Sequence, residues 1–134
     1  MIVADTNLIA YLLIPGQKTA LAQAVFQQDP AWIAPFLWRS EFRNVLALYM
    51  RQGQLVLADA LLFMEAAETL LQGCEYQVES MPVLRLAERS GCAAYDCEFV
   101  HLAQELGIPL LTFDAKLLKV FPQTAIAPES FVGH

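Results

Sequence analysis

The strongest constraint on this chain is a set of short apolar runs with no polar alternation. Ile2–Ala4, the AWIAP segment at 31–35, IPLLTF at 108–113 and TAIAP at 124–128 are each closed by a proline or an acid or run into one. A strand with one wet face alternates apolar and polar residues, whereas a strand covered on both faces can be apolar throughout. Between these runs lie helical patterns at Thr6–Leu13, Thr19–Gln28, 36–52, 54–72, Pro82–Ser90, Ala94–Leu106 and Ala115–Phe121. Pro15-Gly16, Asp29-Pro30, Gly53, Gly73, Gly91, Gly107 and Pro122 punctuate them. CEYQVES at 74–80 alternates like a further strand. Buried strands separated by helices predict an α/β fold, a parallel sheet with helices on both faces. With 134 residues and no repeat or linker, the expectation is a single domain, 1–134.

In such a sheet, ligands bind outside the carboxyl ends of the strands. Asp5 follows the first run directly and Asp114 closes PLLTF. Glu41 and Asp96 fall near the starts of their helices, which face the same end of the sheet. All four acids can therefore meet in one cleft. Two carboxylates 5 Å apart repel by about 3 kcal/mol at an effective dielectric near 20. Helix dipoles return only about 1 kcal/mol each. A divalent cation resolves the conflict, and oxygen-only donors without His or thiolate indicate Mg²⁺ or Mn²⁺. Each acid also has a purely structural reading. Asp5 and Asp114 can cap helices, Asp96 can answer a helix dipole, and Glu41 can pair with Arg39 or Arg43. Thr6 or Asn7 is a further candidate cap for the first helix.

Composition narrows the class. The chain is 57% hydrophobic and 16% charged, which excludes disorder. Its longest apolar run, Leu8–Ile14, is too short to span a bilayer, and the N-terminus lacks a basic, apolar leader pattern. A cytoplasmic location is expected. A net charge of −6 argues against direct phosphate binding unless the acids hold a cation. Cys74, Cys92 and Cys97 fit no zinc or redox spacing and are read as reduced thiols. His101 and His134 have no suitably spaced partner and are left out of the chemistry.

IVADTNLIAYLL, SEFRNVLAL and SGCAAYDCEFVHLAQELGIPLLTFDAKLLK together resemble a PIN domain, and most nearly the VapC-like ribonuclease toxins of toxin–antitoxin pairs. The Y-D segment followed by L-x-T-x-D is the most specific part. The resemblance covers nearly the whole chain and implies a sheet of order 3-2-1-4-5. It also implies a Mg²⁺- or Mn²⁺-dependent endoribonuclease, with Asp5, Glu41, Asp96 and Asp114 as the acidic metal-binding residues. Thr6 and Thr112 stand where relatives place a hydroxyl bonded to the acids. Some relatives carry another acid soon after the last Asp, where this chain has Lys116, Leu117 and Leu118. An RNA substrate and a cognate antitoxin follow from the same resemblance. A catalytically silent PIN-like module that binds partners is the competing reading. A phosphoryl-acceptor receiver domain fits less well, because it needs paired acids after the first strand, where Thr6 and Asn7 stand.

Basic residues are few. Arg39 and Arg43 share a helical face by i,i+4 spacing, and Lys116 and Lys119 follow Asp114, so these four are the candidates for RNA phosphate contact. The segments 36–52 and 54–72 are apolar nearly all round. That predicts a homodimer or antitoxin interface on this hairpin, with Phe36 and Trp38 contributing.

Overall fold

The structure is a computed structural model and describes residues 1–133. Five parallel strands, β1 (Ile2–Ala4), β2 (Trp32–Pro35), β3 (Glu75–Tyr76), β4 (Leu110–Leu111) and β5 (Ala125–Ile126), form one sheet in the order β3-β2-β1-β4-β5. This is the expected 3-2-1-4-5 topology. Every residue of β1 and of β2 is buried. Successive strand residues point to opposite faces, so both faces of the sheet centre are covered.

The helices are α1 (Thr6–Leu13), α2 (Thr19–Gln28), α3 (Trp38–Arg51), α4 (Leu57–Leu70), α5 (Ser80–Ser90), α6 (Ala94–Leu106), α7 (Ala115–Val120) and α8 (Pro128–Val132). The chain passes from β1 through α1 and α2 to β2, then through α3 and α4 to the edge strand β3. It crosses back through α5 and α6 to β4, on the other side of β1. The direction of winding therefore reverses between β1 and β4. α6 packs across β1, β2 and β4 and buries Phe99, Val100 and Leu102. Gly91 and Gly107, at φ 71° and 66°, end α5 and α6 in the left-handed conformation that glycine adopts without strain. Among the described residues, no helix is long and apolar enough to cross a membrane.

Several boundaries move from the expected ones. α3 and α4 are shorter than 36–52 and 54–72, and only two residues of CEYQVES pair as a strand. α5 begins at Ser80, two residues before Pro82, because proline is tolerated in a first helical turn. α8 is not expected from the sequence pattern at all. Trp38 is fully buried, so it cannot contribute to an interface, while Phe36 remains half exposed. On α4, Leu57, Leu61 and Leu62 are each about 60% exposed and form the apolar face of the hairpin. His134 lies outside the described residues.

Trp38 is buried because its indole N–H has a partner. It donates to Glu75 Oε2 at 2.7 Å across 37 residues. The same carboxylate takes a two-pronged contact from Arg39, through Nε to Oε2 and Nη2 to Oε1 at 2.8 Å. Arg39 Nη1 also reaches Glu68 Oε2 at 2.8 Å. This network ties α3 and α4 to the edge strand. Removing Glu75 leaves both the indole and the guanidinium without their acceptor. Glu75→Ala should cost about 2 kcal/mol in denaturant unfolding, below a fully buried pair because Arg39 is partly exposed. A loss under about 0.3 kcal/mol would show that solvent already satisfies both donors.

Candidate active site

The register of the two central strands builds the site. Val3 pairs with Leu110 and Ala4 with Leu111, and the Asp5 amide still donates to the Leu111 carbonyl at 3.1 Å. Asp5 therefore stands beside Thr112, one residue past the end of each strand. Asp114 lies two residues farther on, so it is not the strand-tip equivalent of Asp5 that the sequence suggests; Thr112 is. The two tips flank the point where the winding reverses, which is where open α/β sheets bind ligands.

Asp5 is held from both sides. Oδ1 accepts the Leu8 amide at 2.7 Å, capping α1, and Oδ2 accepts the Phe113 amide at 3.1 Å. The cap of α1 is thus Asp5, not Thr6 or Asn7. Asp114 caps α7 in the same way, with Oδ1 accepting the Leu117 amide at 3.0 Å. Thr6 is buried and donates its hydroxyl to Glu41 Oε1 at 2.7 Å, joining α1 to the first turn of α3. Thr112 Oγ1 accepts the Asp114 amide at 3.0 Å, and its hydroxyl stands near enough to the Asp5 carboxylate to favour the charged form.

Asp5, Glu41, Asp96 and Asp114 all line one cleft of about 440 Å³. Thr6 and Thr112 form part of its wall, and Asn7, Ser40, Asn44 and Tyr95 place polar side chains in it. The acids feel one another. Burial pushes the Asp5 carboxyl up to about 6, against hydrogen bonds from Leu8, Thr112 and Phe113 that favour the charged form, and Asp114 adds to the rise. Glu41 is raised by burial, and Asp96, Asp5 and Glu98 reinforce the shift against the Thr6 hydrogen bond. Asp96 is raised by burial and by Asp114, with Lys116 opposing. The couplings run Asp5–Asp114–Asp96–Glu41 and back to Asp5, a closed ring of like charge.

Among the described residues, no three His, Cys, Asp or Glu side chains form a ready-made cage for a metal. Mg²⁺ does not require one. It keeps several waters and is typically held by one or two carboxylates directly. Four hard oxygen donors around one cleft fit such an ion.

The basic residues stand apart from the cleft wall. Arg39 is engaged with Glu75 and Glu68. Arg43 is exposed one turn farther along α3. Lys116 donates to the Gly91 carbonyl at 3.0 Å and is near enough to Asp96 to favour its charged form. Lys119 lies in the last turn of α7. His101 pairs with Glu105 at 3.3 Å along α6, away from the cleft. Two features go beyond the sequence reading. Lys18 sits 4.5 Å over the Phe113 ring and 5.4 Å over Tyr11, beside the strand tip that holds Asp5. Asn7, Ser40, Asn44 and Tyr95 reach the cleft from three helices. The i,i+4 spacing of Ser40 and Asn44 on the face next to Glu41 is the one sequence signal that marks any of them.

The PIN domain family model matches residues 2–121. The chain belongs to the PIN-domain family. A curated relative, Ribonuclease VapC3 of Pyrobaculum aerophilum, is 27% identical over 124 residues, covering 90% of this chain and 95% of its own. The solved structure of PAE2754, also from Pyrobaculum aerophilum, superposes with a TM-score of 0.74 at 22% identity, over 98% of this chain and 93% of its own. That likeness establishes the fold. As a PIN domain, the chain carries its acids at the winding reversal of the family's sheet.

The raised pKa of Asp5 has a consequence for stability. Its folded value, about 6, lies above the ordinary 3.8, so the folded state holds a proton that the unfolded state has lost. Asp5's own contribution to metal-free stability is therefore greatest below pH 4 and is lost as pH rises toward and through 6. Two pKa units correspond to about 3 kcal/mol, and residual solvent contact reduces this to about 2. An Asn side chain carries no titrating proton, but its Nδ2 cannot accept an amide, so one of the Leu8 and Phe113 bonds is lost at every pH. In EDTA, the stability of Asp5→Asn relative to the wild type should therefore rise by about 2 kcal/mol between pH 4 and pH 7.5. Denaturant midpoints at the two pH values test this. A pH-independent difference would show that Asp5 is not held uncharged by its surroundings.

Proposed function

We propose that this protein is a metal-dependent endoribonuclease that hydrolyses RNA phosphodiester bonds and acts as the toxin of a toxin–antitoxin pair. The observation that carries this reading is the convergence of four carboxylates on one cleft at the winding reversal. Family membership and the name of the VapC3 relative support the ribonuclease assignment. Asp5, Asp114, Asp96 and Glu41 would hold the ion, directly or through its waters. Bound there, Mg²⁺ or Mn²⁺ supplies Lewis-acid polarisation of a phosphate oxygen and a water of lowered pKa.

The protein's own groups do the rest. Asp5 is fixed by two backbone amides on different segments, so it presents its remaining lone pairs in one geometry. Glu41, oriented by Thr6, would take the proton of an attacking water. Arg43, Lys116 and Lys119 are the cations available to flanking phosphates; Arg39 would first have to leave Glu75. The exposed Leu57, Leu61 and Leu62 face supports a like subunit or an antitoxin helix as partner. The same face favours the second reading, a silent partner-binding module, in which the acids only cap and space the helices. A cytoplasmic site of action accompanies the first reading.

Cleavage of a mixed RNA substrate with added Mg²⁺ or Mn²⁺ separates the two. Asp96→Asn and Asp114→Asn should each lower the rate by at least about 100-fold, since a lost ligand removes several kcal/mol of transition-state stabilisation. EDTA should abolish cleavage. Hydrolysis that survives EDTA and both substitutions would overturn the metal-dependent assignment. No hydrolysis by the intact protein with either ion would favour the silent module.

A further inference from the structure

We propose that Tyr95 is a stacking platform for one nucleobase of single-stranded RNA, next to the scissile phosphate; this rests on the ribonuclease reading above. Tyr95 lines the cleft in the first turn of α6, directly before Asp96. It is 63% exposed, the most exposed aromatic ring of the described residues. A ring left this open contributes little to the core, and its free face is available to a ligand in the cleft. Ala93 and Ala94, which precede it, carry no side chain large enough to cover the ring.

The rest of the cleft specifies what that ligand is. Asn7 from α1 and Ser40 and Asn44 from α3 also line it, and all three are exposed. Amides and a hydroxyl can both donate and accept, as base edges and a ribose 2′-hydroxyl require. An apolar ligand would leave them and the four carboxylates unpaired. A base can lie on Tyr95 only if it is unstacked from its neighbours, which selects a single strand over a duplex. Charge points the same way. The chain carries −6, and none of Arg39, Arg43, Lys116 or Lys119 is in the cleft wall. Counterion release is therefore a small source of affinity here, and stacking, which any base supplies, takes its place.

The test uses the intact protein and a ten-nucleotide single-stranded RNA with phosphorothioate linkages, followed by fluorescence anisotropy. Tyr95→Phe keeps the ring and should bind within about twofold of wild type. Tyr95→Leu removes the π-face and should weaken binding about tenfold. An abasic site scanned along the RNA should cost the wild type a similar factor at one position and cost Tyr95→Leu nothing there. With a cleavable strand, Tyr95→Leu should raise KM by the same factor and leave kcat within about threefold. Equal binding by Tyr95→Leu, or losses that multiply instead of overlapping, would overturn the proposal. The two readings fail differently. Intact cleavage with no Tyr95 effect removes the platform alone. Overlapping losses in binding without cleavage of any RNA remove the ribonuclease assignment alone.

Discussion

The site depends on a single carboxylate that is bonded to two segments far apart in sequence. Asp5 accepts one amide from the start of α1 and another from Phe113, 108 residues later. The first bond orients α1, and with it Thr6, whose hydroxyl holds Glu41. The second fixes the turn between β4 and α7, from which Asp114 projects. The pairing of β1 with β4 is what brings these groups together. A shift of that register by one residue would exchange the faces of the side chains and move Thr112 away from Asp5. The sheet register and the site geometry are therefore one constraint.

Electrostatics sets the cost of that arrangement. Burial and like charge raise Asp5, Glu41 and Asp96 together, so without a cation these carboxyls hold protons more readily than ordinary ones. Folding tolerates the cost because it is met elsewhere. A continuous apolar sheet centre, with Ile2, Leu8, Ile9, Ile33 and Leu110 almost fully buried, surrounds the polar tip. The opposite edge is tied down by the Arg39–Glu75–Glu68 network. Stability is concentrated in the sheet, and the four acids are confined to its carboxyl end.

Local patterns revealed most of this architecture. The unbroken runs at Ile2–Ala4 and Leu110–Leu111 mark the two central strands, because burial on both faces leaves no room for polar residues. Gly91 and Gly107 mark helix ends, because a left-handed φ favours glycine. What the sequence hid is non-local. Trp38 looks like surface until Glu75 supplies its partner across 37 residues. Arg39 looks free for phosphate until the same carboxylate takes it. α8 is five residues long, too short for periodicity to register. Tyr95 sits in an ordinary helical pattern, and only the tertiary cleft shows that its ring is uncovered.

The sequence leaves cap and ligand as alternatives for Asp5 and Asp114, but the capping bonds do not exclude the proposed ligand role. A carboxylate has about four lone-pair sites on two oxygens. Capping α1 uses one site of Asp5, and the Phe113 amide uses another. Asp114 gives one to Leu117. Each residue keeps acceptor capacity toward the cleft after its structural bonds are made. Capping also improves the acid as a ligand, since backbone amides hold it in one orientation and favour the charged form that a cation needs. The capping bonds and the proposed ligand role are therefore compatible in one group. A helix start beside a strand tip supplies the amides, and the lone pairs left over face the cleft.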